Sequence, residues 1–207
     1  MQTTTFWLFS YLLFDRELYT AVREEIEPAF QDGVLDTNYI IQNCPLLMST
    51  YSEVLRLHIS SNSVRIVDSP TKYGDKILQP GNILMVPFAH MHQNARAWGQ
   101  DCAKFDPTRF LHQKKPNPSY RPFGAGGNSC PGKAFAIRQV LSSVAFLMRA
   151  YNPSLPLVDG KQQAMPVALH STPTIGTSVP KGAGKNLVVE ITPGVSEPVH
   201  HIIAVAP

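Results

Sequence analysis

Phe123-Gly124-Ala125-Gly126-Gly127-Asn128-Ser129-Cys130-Pro131-Gly132 is the stretch on which the reading of this 207-residue chain turns. It runs straight into residues 133–150, whose helical spacing places Phe135, Val140, Val144 and Leu147 on or near one face. A cysteine is therefore held by a glycine-rich loop at a helix N-terminus. Glycines permit positive φ and let the backbone come close to a flat or bulky ligand. Amide N–H groups and the helix dipole at that end favour a thiolate over a thiol. Such a thiolate is a good soft ligand for iron, or a nucleophile. A lone cysteine in a turn is more often a small buried residue. Gly124, Gly126 and Gly127 before it and Gly132 after it reverse that reading.

A phosphate-binding loop overlaps the same residues, since Gly127, Gly132 and Lys133 have its spacing. Ala134 stands where the Mg²⁺-binding Ser or Thr belongs, and Pro131 deletes an amide from the cradle. Pro116, Pro118 and Pro122 also exclude the strand that should come before it. The phosphate reading is weak.

Moving outward, the 18 prolines organise the chain. Residues 1–60 hold only Pro28 and Pro45, so this part is free to be helical while much of the rest is not. Residues 3–30 read as two helices meeting at Asp15, an N-cap, and Pro45 opens a helix running through Leu57. Residues 63–67 and 77–86 read as strands, the second broken by Gln79-Pro80-Gly81-Asn82, a turn that suggests a hairpin. Residues 101–132 lack periodicity and form a loop of about thirty residues, long enough to point to function. The tail carries one strand at 187–191. With 43% hydrophobic and 16% charged residues the chain can build a core. Its net charge of +3 is too small and scattered for a nucleic-acid partner. Cys44, Cys102 and Cys130 make neither a disulfide framework nor a zinc pattern. The longest apolar run, Phe6 to Phe14, is about half of what a membrane-spanning helix needs, so no transmembrane segment is expected in this chain.

Two further constellations give the glycine-cysteine loop its context. Glu53 and Arg56 stand three apart on the Pro45 helix and so share a face. Ala89-x-x-His92, Trp98 and Phe105-Asp106-Pro107-Thr108-Arg109-Phe110 follow in order before the cysteine. The ordered series closely resembles the C-terminal part of haem-thiolate monooxygenases, the cytochrome P-450 superfamily, from about Thr3 to about Thr192. The resemblance implies a mainly α fold with small β-sheets, and a chain (residues 1–207) that is the C-terminal haem-binding portion of a longer domain. It implies haem as cofactor, with Cys130 as the thiolate ligand of iron. Phe123 would pack near the sulfur, and Gly126 and Gly132 would let the loop approach the ring. Glu53, Arg56 and Arg109 would form a buried structural triad. Arg65 matches a strand position that often pairs with a haem propionate, and His92 either does the same or simply packs near the haem edge. Ser60–Val64 and the turn at 172–174 would line the substrate pocket.

Asn128, two before the cysteine, replaces the Arg or His usual in the family and offers a propionate a hydrogen bond without charge. Together with Phe6-Trp7 it resembles the branch that holds sterol and bile-acid hydroxylases and prostacyclin synthase. The resemblance implies a monooxygenase acting on an apolar or lipid-like small molecule with an electron-donating reductase. The alternatives are an isomerase of oxidised lipids that needs no reductase, and an inactive remnant. It further implies that the full-length protein sits at the cytosolic face of the endoplasmic reticulum membrane. The acid–Thr pair that the family uses for O₂ activation would fall at or before Met1. A piece of this kind should expose apolar surface that the rest of the core would cover.

Overall fold

The structure, a computed structural model, describes residues 1–113, 115–168, 176–181 and 187–194, and of Asn128 only the backbone. Helix α1 (Gln2–Phe14) ends at Asp15, which caps α2 (Arg16–Ile26) by accepting the Leu18 amide at 2.9 Å, as its sequence position predicts. Helix α2 buries Leu18, Tyr19, Val22 and Ile26, one helical stripe. A 3-10 turn (Glu27–Ala29), a minimal hairpin of β1 (Phe30–Gln31) and β2 (Val34–Leu35), and α3 (Thr37–Asn43) then reverse the chain. The Asp36 carboxylate caps α3, accepting from Asn38 and Tyr39. Helix α4 (Pro45–His58) starts on its proline, and Glu25 of α2 caps it from a distance. The two Glu25 oxygens accept the Leu46 and Leu47 amides at 2.8 and 2.9 Å.

Strand β3 (Asn62–Ile66), β4 (Thr71–Tyr73), β5 (Lys76–Leu78) and β6 (Ile83–Pro87) form two antiparallel ribbons, and they correct the expected hairpin. The turn at 79–82 exists, with the Asn82 amide donating to the Gln79 carbonyl at 3.1 Å. Gly81, at φ +85°, gives its amide to the Val67 carbonyl, and the Val67 amide goes to the Asn82 carbonyl. These bonds send β6 along β3, while β5 pairs with β4. Cross-strand pairing puts Val64, Ile66, Ile83 and Met85 on one face, all exposed, which is apolar surface of the kind expected.

Two short helices follow, α5 (Phe88–His92) and α6 (Ala95–Trp98), the latter capped by Asn94. Among the described residues of 99–132 the only regular element is a 3-10 turn at Gly126–Asn128. Among the described residues no strand leads directly into Gly127, so the phosphate-loop reading lacks its scaffold. Helix α7 (Lys133–Ala150) buries Val140, Leu141, Val144, Ala145 and Met148. Phe135 departs from the expected face and is 64% exposed on the first turn. Strand β7 (Tyr151–Ser154) pairs with β8 (Glu190–Pro193), so the tail strand lies slightly downstream of the expected 187–191. The core gathers where α1, α2, α4 and α7 meet, around Trp7, Leu8, Leu12, Val22, Leu47, Val54, Leu141 and Val144. The fold is mainly α with small antiparallel sheets. The 172–174 turn lies outside the described residues.

Candidate functional site

Helix α4 buries almost its whole circumference, yet Ser49, Glu53 and Arg56 recur at helical spacing along one side. That side receives the long loop. Glu53 and Arg56 are both 0% exposed and meet in a forked pair, Arg56 Nε to Glu53 Oε2 at 2.7 Å and Nη2 to Oε1 at 2.8 Å. Arg56 Nη1 then donates to the carbonyls of His92 (2.8 Å) and Cys102 (2.6 Å), and Nη2 donates to that of Lys104 (3.3 Å). Its guanidinium also lies over the Trp98 ring at 5.1 Å. Glu53 Oε1 accepts the Asp106 amide and Arg109 Nε, each at 3.1 Å. Arg109 reaches on to Asp101 at 3.2 Å and holds that carboxyl below its usual range. The Phe110 amide donates to Ser49 Oγ, and Tyr120 Oη to the Ser52 carbonyl, at 3.2 and 3.0 Å. The three charged residues singled out by their motifs are thus brought together, and the carbonyls they hold belong to α5, to the end of α6 and to the loop.

His92 is 0% exposed. Its Nε2 accepts the Arg121 amide at 2.8 Å, and its ring lies against those of Phe88 and Tyr120. Burial, helped by the charge of Arg56, pushes its pKa down to about 4, so the ring is neutral near pH 7 and the Nε2 lone pair stays available. Nδ1 is sealed in the interior as well. Nδ1 has no hydrogen-bond partner among the described residues.

Beyond Arg121 the loop closes on itself, the Cys130 amide donating to the Phe123 carbonyl at 2.8 Å. Phe123 packs against the core, with Lys133 Nζ 5.9 Å from its ring centre. Cys130 is exposed at the head of α7, whereas Cys44 is buried and Cys102 half-buried. Gly126 takes φ +66°, and a Cβ built on it or on Gly127 would meet no atom within 4 Å. Gly132 sits in ordinary contact, 3.9 Å from Cys130 Sγ to its would-be Cβ. Ala134 and Phe135 continue the open surface along α7. Further along, Gln139 and Ser143 face the first turn of α1 across a cleft of about 640 Å³. Among the described residues no three His, Cys, Asp or Glu side chains assemble as a metal site. A metal on Cys130 would therefore take its other ligands from a bound group, and a flat apolar macrocycle suits the open glycines and the exposed aromatic. The residues present fit haem.

Arg65 lies on β3, paired with Leu84 of β6, exposed and bonded only to the Val64 carbonyl among the described residues. The Ser60 amide donates to the Gly176 carbonyl at 2.9 Å, which fixes the start of the 60–64 stretch. Asn128 belongs to the 3-10 turn, and its side chain lies outside the described residues.

The family model for cytochrome P-450 matches residues 1–176. The chain belongs to the cytochrome P-450 family. It is 35% identical over 167 residues to cytochrome P-450 monooxygenase calL of Penicillium decumbens, a match covering 72% of this chain and 31% of that protein. A cytochrome P-450 monooxygenase of Gibberella zeae is 31% identical over 195 residues, covering 86% of this chain and 37% of its own length. The 7-deoxyloganic acid hydroxylase of Catharanthus roseus is 28% identical over 157 residues, covering 72% of this chain and 30% of the hydroxylase. This cytochrome P-450 chain spans about a third of the length of the curated relatives it matches. None of its described helices is long and apolar enough to cross a membrane.

Proposed function

We propose that this chain carries the haem-thiolate side of a monooxygenase that hydroxylates an apolar, lipid-like small molecule. The exposed Cys130, on a loop rooted in the Glu53–Arg56–Arg109 cluster, carries the reading. Bound haem supplies the chemistry, in which one O₂, two electrons and two protons give one hydroxyl group on the substrate and one water. The protein's residues hold and shape that group. Cys130 would hold the iron of that group through its thiolate. Phe123 would pack near the sulfur, and Gly126 and Gly132 would let the loop approach the bound group. Arg65 pairs with a propionate, and Asn128 adds a hydrogen bond without charge. Glu53, Arg56 and Arg109 sit too deep, and are too fully bonded to the loop, to act on substrate. Two fungal relatives named as monooxygenases favour O₂ chemistry over isomerisation of an oxidised lipid. The electrons come from a reductase, and the full-length protein works at the cytosolic face of the endoplasmic reticulum membrane.

The haem-loaded protein should show a thiolate-type Soret band when reduced under carbon monoxide. Substrate hydroxylation should require both a reductase and O₂. Turnover of a lipid hydroperoxide without either would replace the monooxygenase with the isomerase, and absence of the band would remove both.

Arg65 gives a second test. A charge-assisted hydrogen bond is worth about 1.5–3 kcal/mol, one to two decades in affinity. Arg65→Ala should therefore speed haem transfer to an apo-globin about 10- to 100-fold. Asn128→Arg in that background should recover part of the loss. Transfer at the parental rate would mean that the propionates are held by other residues.

A further inference from the structure

His92 joins two parts of the molecule with two different groups. Its backbone carbonyl accepts Arg56 Nη1 at 2.8 Å, so it is fixed to the buried charge cluster of α4. Its ring nitrogen Nε2 accepts the Arg121 amide at 2.8 Å. Arg121 is the last residue but one before Phe123, whose carbonyl receives the Cys130 amide. A backbone N–H can only donate, so Nε2 must carry its lone pair and the proton sits on Nδ1. Phe88 and Tyr120 flank the ring, with centroids at 6.5 and 5.5 Å, and keep it from turning away. This is the one bond, among the described residues, that ties the amide of Arg121 to the rest of the fold.

We infer that His92 is a positioning residue for the cysteine loop: its neutral ring pins the Arg121 amide and so sets where Phe123 and Cys130 stand relative to the Glu53–Arg56–Arg109 cluster. The inference builds on the reading of Cys130 as the iron ligand, although the pin itself belongs to the protein with or without haem. An apolar ring in place of His92 keeps the packing but leaves a buried N–H without an acceptor. Glutamine loses the ring but places an acceptor oxygen at similar reach.

The variants His92→Phe and His92→Gln separate these effects. Amide hydrogen exchange is followed across residues 121–130 in the protein with and without haem. In parallel, the decay of the thiolate-type Soret band of the reduced carbon-monoxide complex is timed in mild urea. His92→Phe should raise exchange in 121–130, and speed the decay, by about tenfold, while α4 and α7 exchange as before. His92→Gln should return both to within about threefold of the parent. If His92→Phe does not fold, His92→Leu replaces it under the same criteria. Failure of both apolar variants to fold, with folding of His92→Gln, would also support the pin. Unchanged exchange in the apolar variant, or no rescue by glutamine, would overturn it. A parent without the thiolate band would reject the haem reading alone, because exchange in the haem-free protein still tests the pin.

Discussion

Glu53→Ala is expected to destabilise the haem-loaded protein by about 3–5 kcal/mol, because it leaves a buried guanidinium without its counter-charge. Arg56 is 0% exposed and spends two of its donors on Glu53, at 2.7 and 2.8 Å. Removing the carboxylate strands that charge, frees the Asp106 amide and takes one of the partners of Arg109. Arg56→Ala should do comparable damage from the other side. It leaves a buried carboxylate and releases the carbonyls of His92, Cys102 and Lys104 together. Arg56→Lys should recover little, since an ammonium cannot reproduce the fork. Domains are commonly stable by only about 5–15 kcal/mol, so haem retention should fall with the fold. Urea unfolding and haem content of the same samples measure both. A variant with parental stability and haem content but no turnover would show that these residues take part in the reaction itself.

How much of this was legible in the residues depended on whether the cause was local. The Asp15 cap, the Pro45 start and the α7 segment depend on neighbours within one helical turn, and all three appear at the expected places. The Glu53–Arg56 pair is also local, at i,i+3, but its depth is not. The loop together with α5 and α6, packed over α4, buries it. The turn at Pro80-Gly81 was legible, but the partner of β6 was decided by Val67, far from the turn's own flanks. Short elements escaped for a different reason. Asp36 and Asn94 are proper caps, yet α3 and α6 are too brief to show periodicity. Phe135 fits the helical face by spacing, but it lies in the first turn of α7, beside the open cysteine loop and beyond the packed core. The role of His92 had no signal in sequence, since its partner is a backbone amide of Arg121. Ser49 could have been found, because a small polar residue one turn before Glu53 extends the same stripe.

Cys130→His should abolish the thiolate-type Soret band of the reduced carbon-monoxide complex entirely, the largest spectroscopic change expected of any single substitution here. The three cysteines differ enough for the contrast to be sharp. Cys44 is buried at the start of α4, and burial pushes its thiol up to about 12, so it offers neither access nor a thiolate. Cys102 serves through its carbonyl, which holds Arg56 at 2.6 Å, and serine keeps that carbonyl. Cys44→Ser and Cys102→Ser should therefore retain the band. Cys130 is exposed at the head of α7, and its sulfur makes no hydrogen bond among the described residues. The loop closes through its amide, bonded to the Phe123 carbonyl, and histidine or serine keeps that amide. The fold should accordingly tolerate Cys130→His or Cys130→Ser to within about 0.5 kcal/mol in haem-free unfolding, as at other exposed positions. Ligation and folding thus separate at this residue, in contrast to Glu53, where they fall together. Survival of the band in Cys130→His, or its loss in Cys102→Ser, would move the iron ligand elsewhere.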